Sequence, residues 1–377
     1  MKKIAIVIGD NLHNTFGVVR SLGRKNVDFY LLCASNIAGC NIAKSRYVKA
    51  GRYRRYATDF ELQNILDELK NIDGYKYLIC TSDPAAEWVD ANEDYLNQYF
   101  ITPCRGKKIG KLFNKKSQCE LAEECGLVVP KSFVHNVDDN LEYDKLSYPL
   151  FTKPLVSVDG HKQDIHICKT AADLKEVIEN AVTTKSFIIQ EYVEKDYEID
   201  CLGVRTDKEC IIAGVVKKIR VYPDNFGAGA YGVFCKAESF NIDKTGIERF
   251  LAKSGYYGPF SVEFMHKNGV NYFLEVNFRN DGLAYVATCG GFNLYESYIN
   301  NKSVSFDQFK SIRMMNVNFD FQFMKNTKKI SFMKWIYQFM TAECHLDFCL
   351  LDPMPLFWRP IAFALRRLPL NTSKLLK

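Results

Sequence analysis

Gly258-Pro-Phe-Ser-Val-Glu263-Phe-Met-His-Lys-Asn-Gly269-Val-Asn-Tyr-Phe-Leu-Glu275-Val-Asn277-Phe-Arg279 reads as two strands joined by a tight turn. Phe260, Val262 and Phe264 alternate with Ser261 and Glu263. Lys267, Asn268 and Gly269 supply the turn, and residues 272–278 form the return strand. Side chains on a strand alternate with period two, so Phe273, Glu275, Asn277 and Arg279 are expected on one face. A Glu, an amide and a cation in a row, with Glu263 across the hairpin, are costly to bury unless something binds them. Oxygen ligands of this kind suit Mg2+ carrying nucleotide phosphates. The competing reading is an exposed hairpin face with ordinary cross-strand ion pairs.

The rest of the composition bounds the answer. A chain of 377 residues has room for two or three domains. Its 47% hydrophobic and 25% charged content is that of an ordinary globular protein. A net charge of +6 permits an anionic substrate or membrane surface without implying nucleic acid. Thirteen cysteines, an odd number with no Cys-x-x-Cys pair, read as buried apolar residues in a reducing cytosol, not as disulfides or a zinc site. Lys2-Lys3 leads directly into a strand, without a signal-peptide pattern, and no apolar run approaches the roughly 18 residues of a spanning helix. The expected location is cytoplasmic.

Upstream of the hairpin, residues 246–254 read as a helix. Residues 199–204 and 210–216 read as a strand pair turning at Thr206-Asp207. Lys217, Lys218 and Arg220 follow, then the glycine-rich stretch 226–232, a combination suited to an open anionic pocket or to a solvent-facing strand edge. Residues 186–193 form a strand ending in Gln190-Glu191-Tyr192-Val193, with Glu198 a few residues on. A helix is expected at 171–180 and another at 117–125, stopped by Gly126; residues 127–134 read as a strand entered through Pro130. Lys153 ends an apolar strand at Tyr148-Pro-Leu-Phe-Thr-Lys153-Pro154. His161 and His166 lack a third ligand at metal spacing and read as ordinary residues.

Taken together, Lys115 or its neighbour Lys116, Lys153, Gln190 to Val193, Glu198, Glu263, and Glu275-Val-Asn277-Phe-Arg279 resemble, in type and order, the signature of the ATP-grasp superfamily. The resemblance spans residues from about 110 to 300 and implies an α/β (α+β) ATP-grasp fold preceded by a doubly wound domain. It assigns Lys115 or Lys116, and Lys153, to nucleotide phosphates, where lysines act as point charges. It gives the backbone of Gln190, Glu191, Tyr192 and Val193 to the adenine edge, and Glu198 to the ribose. Glu263, Glu275 and Asn277 would hold Mg2+, with Mn2+ as a substitute. Arg279, with Lys218 or Arg220, would act on the reacting groups. The implied activity is that of a carboxylate–amine ligase working through an acyl phosphate on two small molecules. A silent ATP-binding or sensing protein of the same fold is the alternative, and ATP turnover with acids and amines separates the two. Only one glycine, Gly160, occupies the loop after Lys153, so cradling of phosphate by that loop is not assigned.

The first hundred residues read as strand (4–8), helix (16–22) and strand (27–33), with a further strand at 77–80, a doubly wound α/β pattern. Gly9 is followed by no glycine until Gly17, which argues against a dinucleotide fingerprint. Asn11, His13 and Asp83 lie beyond carboxyl ends of strands; they are pocket candidates, or else caps and turn residues. Arg52 to Tyr56 reads as a solvated basic-aromatic surface. Downstream, residues 313–324 read as a strand, 330–340 as an aromatic helix, and 361–367 as a helix with a basic end. This tail either packs on the core or lies in a bilayer interface at the inner face of a membrane. It loosely resembles tails of D-aspartate ligase-like ATP-grasp proteins. The expected spans are 1–110, 111–190, 191–325 and 326–377. Oligomeric state is not readable.

Overall fold

A computed structural model of the chain describes residues 2–34, 40–155, 165–182, 184–224, 227–301 and 308–358. The first sheet is parallel. Its strands β1 (Lys3–Gly9), β2 (Asp28–Ala34), β3 (Tyr53–Tyr56) and β4 (Tyr75–Cys80) lie in the order β3-β2-β1-β4. β1 is buried almost end to end, as an unbroken apolar run in a parallel sheet requires. Helices α1 (His13–Arg24), α2 (Asp59–Leu69), α3 (Asp83–Ala91) and α4 (Glu93–Leu96) accompany it. A Cβ added at Gly9 would lie 1.7 Å from Thr81 Oγ1, so glycine is what lets β1 run this close to the end of β4.

Asn114 caps α5 (Lys115–Glu124), its side chain accepting from the amides of Lys116 and Ser117. The second sheet is antiparallel, β5 (Ser132–Asn136), β6 (Leu150–Pro154), β7 (His166–Cys168) and β8 (Ser186–Glu191), in the order β5-β8-β6-β7. Helix α6 (Ala171–Glu179) covers one face through Leu174 and Ile178. The strand expected at 127–134 begins only at Ser132. Pro130 has no N–H to give a ladder, and Val128 O accepts instead from Phe273 N at 2.7 Å, tying this segment to the third sheet.

The third sheet comprises β9 (Tyr197–Arg205), β10 (Cys210–Tyr222), β11 (Ala228–Cys235), β12 (Gly258–Lys267), β13 (Val270–Asn277), β14 (Ile312–Met315) and β15 (Cys344–His345), in the order β13-β12-β9-β10-β11-β14-β15. Helix α7 (Lys244–Ser254) packs Ile247, Phe250 and Leu251 beneath it. Helices α8 (Tyr285–Cys289) and α9 (Leu294–Asn300) lie between the first and third sheets: Val286, Leu294 and Tyr298 share one core with Val7, Val18 and Leu31 and with Leu202, Val204 and Met314.

The quoted hairpin forms as read, with Asn268 and Gly269 both at positive φ in the turn. One detail differs. Glu263 pairs with Glu275, but Phe264 pairs with Phe273, so Leu274 is an extra residue in β13. This bulge turns Leu274 and Glu275 to the same side and sends Phe273, fully buried, into the opposite core. Phe273 therefore does not share a face with Glu275 and Asn277.

The strand expected at 313–324 is a four-residue strand followed by helix α10 (Val317–Thr327). Phe319, Phe321 and Phe323 imitate a period of two. The Asn316 side chain caps the amide of Phe319, and the buried residues Asp320 and Phe323 are three apart, the helical spacing. Helix α11 (Phe332–Thr341) follows where an aromatic helix was expected. Beyond it Asp352 is buried against the first part of the chain, accepting from Ser45 Oγ at 2.8 Å and Arg46 N at 2.9 Å, with Arg20 Nε at 3.4 Å. The helix expected at 361–367, His161 and most of the loop after Lys153 lie outside the described residues. Among those described, no helix is long and apolar enough to cross a membrane.

Candidate active site

A cleft of about 730 Å³ opens where the second sheet faces the third. β6 and β8 bring Phe151, Lys153 and Gln190 to one wall. β9, β10, β12 and β13 bring Glu198, Lys218, Glu263, Glu275 and Asn277 to the other. Lys115 enters from the first turn of α5, and Arg279 follows directly on β13.

Glu198, Asp200, Glu263 and Glu275 on the second wall are each held by an ammonium. Lys218 Nζ lies 2.9 Å from Glu263 Oε2, 2.8 Å from Asp200 Oδ1 and 3.4 Å from Glu198 Oε2. Burial alone would lower the Lys218 ammonium, but its carboxylate neighbours, Asp200 foremost, raise it well above its usual value. Burial pushes the carboxyl of Asp200 well above the ordinary range, and Glu263 adds to this. Burial also pushes Glu263 up, but Lys218 and the amide of Asn277 pull it below its ordinary value. Asn277 Nδ2 donates to Ser261 Oγ at 2.9 Å and Glu263 Oε1 at 3.1 Å. Glu275 is held separately by Lys115, at 2.9 Å, and that contact is the main reason the Lys115 ammonium is raised. Carboxyl oxygens of Asp200, Glu263 and Asp281 all lie within 4.8 Å of one another. This all-oxygen donor set fits a hard divalent cation.

On the other wall, Lys153 is lowered by burial and then by the charge of Lys115. Of the two lysines open to the phosphate role, Lys115 reaches the cleft, whereas Lys116 lies on the exposed side, 3.6 Å from Glu120. Gln190, Glu191, Tyr192 and Val193 line the cleft next to apolar Phe151, Ile167, Met265 and Leu274. The amides of Glu191 and Tyr192 are already engaged with Lys131 O at 2.8 Å and Pro149 O at 3.2 Å. Glu198 accepts from Lys195 at 2.5 Å as well as from Lys218.

No family model matches the chain, and no curated protein matches it by sequence. Solved structures do match. An N5-carboxyaminoimidazole synthetase from Staphylococcus aureus superposes with a TM-score of 0.63 at 16% identity, covering 87% of this chain and 86% of that one. The L-amino acid ligase from Bacillus licheniformis gives 0.58 at 16% identity, covering 82% and 76%. This chain has the ATP-grasp fold. The biotin carboxylase domain of a 2-oxoglutarate carboxylase from Hydrogenobacter thermophilus, solved with MgADP, ADP and bicarbonate, also superposes, at 0.63 and 14% identity over 83% and 73%.

Within this ATP-grasp framework most of the residues singled out from sequence meet in one cleft. Arg220 does not. Its Nε and Nη2 donate to Asp320 Oδ1 and Oδ2 at 2.7 and 2.9 Å in a buried fork, and its guanidinium lies 4.2 Å above Tyr231. The side chains of Lys218 and Arg220 are thus divided between cleft and core. Of the first-sheet candidates, His13 lines the cleft against Phe319, while Asp83 forks with Arg279 at 2.5 and 3.1 Å. Asn11 is a turn residue, accepting from Ile42 N at 3.1 Å.

Two acids escaped the sequence reading. Asp200 is two residues beyond Glu198 on β9, and strand periodicity alone could have placed it on the same face. Asp281 lies beyond the end of β13, where no periodicity applies. It reaches the cluster because its Oδ1 caps the amide of Leu283 at 2.7 Å, which folds the chain back.

Proposed function

We propose that this protein is an ATP- and Mg2+-dependent ligase joining a small-molecule carboxylate to an amine. The observation that carries this is the facing of Lys115 and Lys153 onto Glu263, Glu275, Asn277 and Arg279 across one cleft. ADP, MgADP or both accompany several of the similar solved structures.

In this reading adenine occupies the slot between Phe151, Ile167, Met265 and Leu274. The amides of Glu191 and Tyr192 are spent within the fold, so in this reading the base edge is met by the carbonyl of Glu191 and the amide of Val193. Glu198 accepts from the ribose, and Lys115 and Lys153 neutralise phosphate charge. Glu263, Glu275 and Asn277, with Asp281 added, would hold Mg2+, which supplies charge neutralisation at the β- and γ-phosphates. A carboxylate oxygen of the acid attacks the γ-phosphorus and ADP leaves, giving an acyl phosphate. The amine nitrogen then attacks the acyl carbon, inorganic phosphate leaves, and the nitrogen gives up a proton. Arg279 and Lys218 stabilise the negative charge that develops on oxygen in both steps. Arg220 is assigned no part in the chemistry.

The test is to follow ADP and phosphate release over a panel of carboxylic acids and amines. A productive acid labelled with oxygen-18 in its carboxylate should pass one label to the released phosphate. Tight ATP binding with no turnover on any pair would make this a silent nucleotide-binding protein instead.

A further inference from the structure

We infer that the outer face of α11 is a docking surface for an anionic phospholipid bilayer, seating the protein on the headgroups without crossing them. Seven of the ten residues of α11 are aromatic, Met or Ile, yet none of the ten is buried. Trp335 turns inward, stacked between Phe332 and Phe339 and edge-on to Phe321. Met333, Tyr337 and Met340, at spacings of four and three, form one outward stripe; they are 73%, 64% and 77% exposed. Water gains nothing from this stripe, and the fold does not need it for its core.

Charge decides the occupant. Lys325, Lys328 and Lys329 precede α11 by a few residues and Lys334 lies in its first turn, next to Met333, and residues 325–342 contain no Asp or Glu. Among the described residues, Lys329 has a carboxylate partner, Asp224, and the other three have none. An apolar helical face rimmed by lysine is what lies well in an interface of anionic lipid. A second copy of this chain would set one lysine rim against another. Residues 359–377 carry Arg359, Arg366, Arg367, Lys374 and Lys377 with no acid, so they repel the rim as well. An anionic headgroup layer complements the lysines beside the stripe instead.

The experiment uses the full chain and sedimentation with vesicles of phosphatidylcholine plus phosphatidylglycerol, against phosphatidylcholine alone. Binding is expected to the first and not the second, weakening as salt is raised. Replacing Met333, Tyr337 and Met340 together by Ser should lower it about tenfold or more with the melting temperature unchanged, since no buried side chain is lost. Lys328→Glu with Lys334→Glu should do the same through charge alone. The proposal is overturned by any of three results. They are no binding to anionic vesicles at low salt, equal binding to both vesicle types, or wild-type binding by the triple Ser variant. A concentration-dependent dimer that the Ser substitutions abolish would give the face to a second copy and also overturn it.

Discussion

Glu263 and Glu275 are register partners on β12 and β13, and each is held by a different lysine, Lys218 and Lys115, at 2.9 Å. Two carboxylates placed opposite each other on adjacent strands repel. The fold tolerates them because two ammonium groups reach them from other elements, β10 and α5. Under the proposed function, the same pair of acids would take a divalent ion once a bound triphosphate competes for the lysines.

Replacing Glu275 by Ala is expected to lower Mg2+-dependent ATP turnover by about 10²-fold or more while leaving the fold intact. Asp281→Asn should raise the Mg2+ concentration needed for half-maximal turnover, although Asp281 stands outside the Glu-x-Asn-x-Arg pattern. Steady-state kinetics over a Mg2+ series checks both. Wild-type activity in the Glu275 variant removes the metal assignment.

Lys218→Met leaves Glu198, Asp200 and Glu263 facing one another without their shared counter-charge. Breaking a buried charge network in this way costs about 3–5 kcal/mol. Added Mg2+ should return part of that loss, because an ion that binds only the folded state stabilises it. Urea melts with and without Mg2+ decide the point: a loss that Mg2+ does not touch means that the acids do not hold the ion.

The fork between Arg220 and Asp320 joins β10 to α10 and is buried on both sides. Asp320→Asn should therefore cost stability, about 3–5 kcal/mol, with kcat and KM of the folded fraction unchanged. A specific change in KM for one substrate, without loss of stability, would return Arg220 to the chemistry.

If Lys153 serves the nucleotide as proposed, it does so at the expense of the fold. Its ammonium is depressed below the usual 10.5 by burial and then by Lys115. The unfolded chain binds this proton more readily, so the penalty is complete below the folded pKa and disappears above 10.5. Lys153→Met should thus raise the stability of the nucleotide-free protein near neutral pH by about 0.5–1 kcal/mol, while weakening ATP binding. The advantage of the variant should shrink as pH rises through that window. Denaturant midpoints across a pH series, beside nucleotide titrations, measure both effects, and a destabilised variant contradicts the argument.

The hairpin was legible because a tight turn and a period-two pattern are local signals, and Asn268-Gly269 supplies one of them unambiguously. The bulge at Leu274 was not, since nothing in Phe273-Leu274-Glu275 announces an extra residue; the packing of Phe273 onto Phe250 and Phe264 fixes it from elsewhere. That Lys153 and Gln190 to Val193 share a cleft with the hairpin followed from residue types in order. Separating Lys218 from Arg220 required knowing that α10 delivers Asp320, a hundred residues later, and α10 itself was disguised by alternating phenylalanines. Asp281 depended on a cap made after its strand had ended. In each case the missing information was a contact distant in sequence, which propensity and spacing do not encode.

Arg20 and Asp352 meet in a fully buried contact, although 331 residues of chain separate them. During synthesis the helix bearing Arg20 leaves the ribosome long before its counter-ion has been made. The guanidinium of Arg20 therefore lacks this partner until residue 352 has been made. A product ending short of that aspartate would lose its contacts to Arg20, Ser45 and Arg46 together.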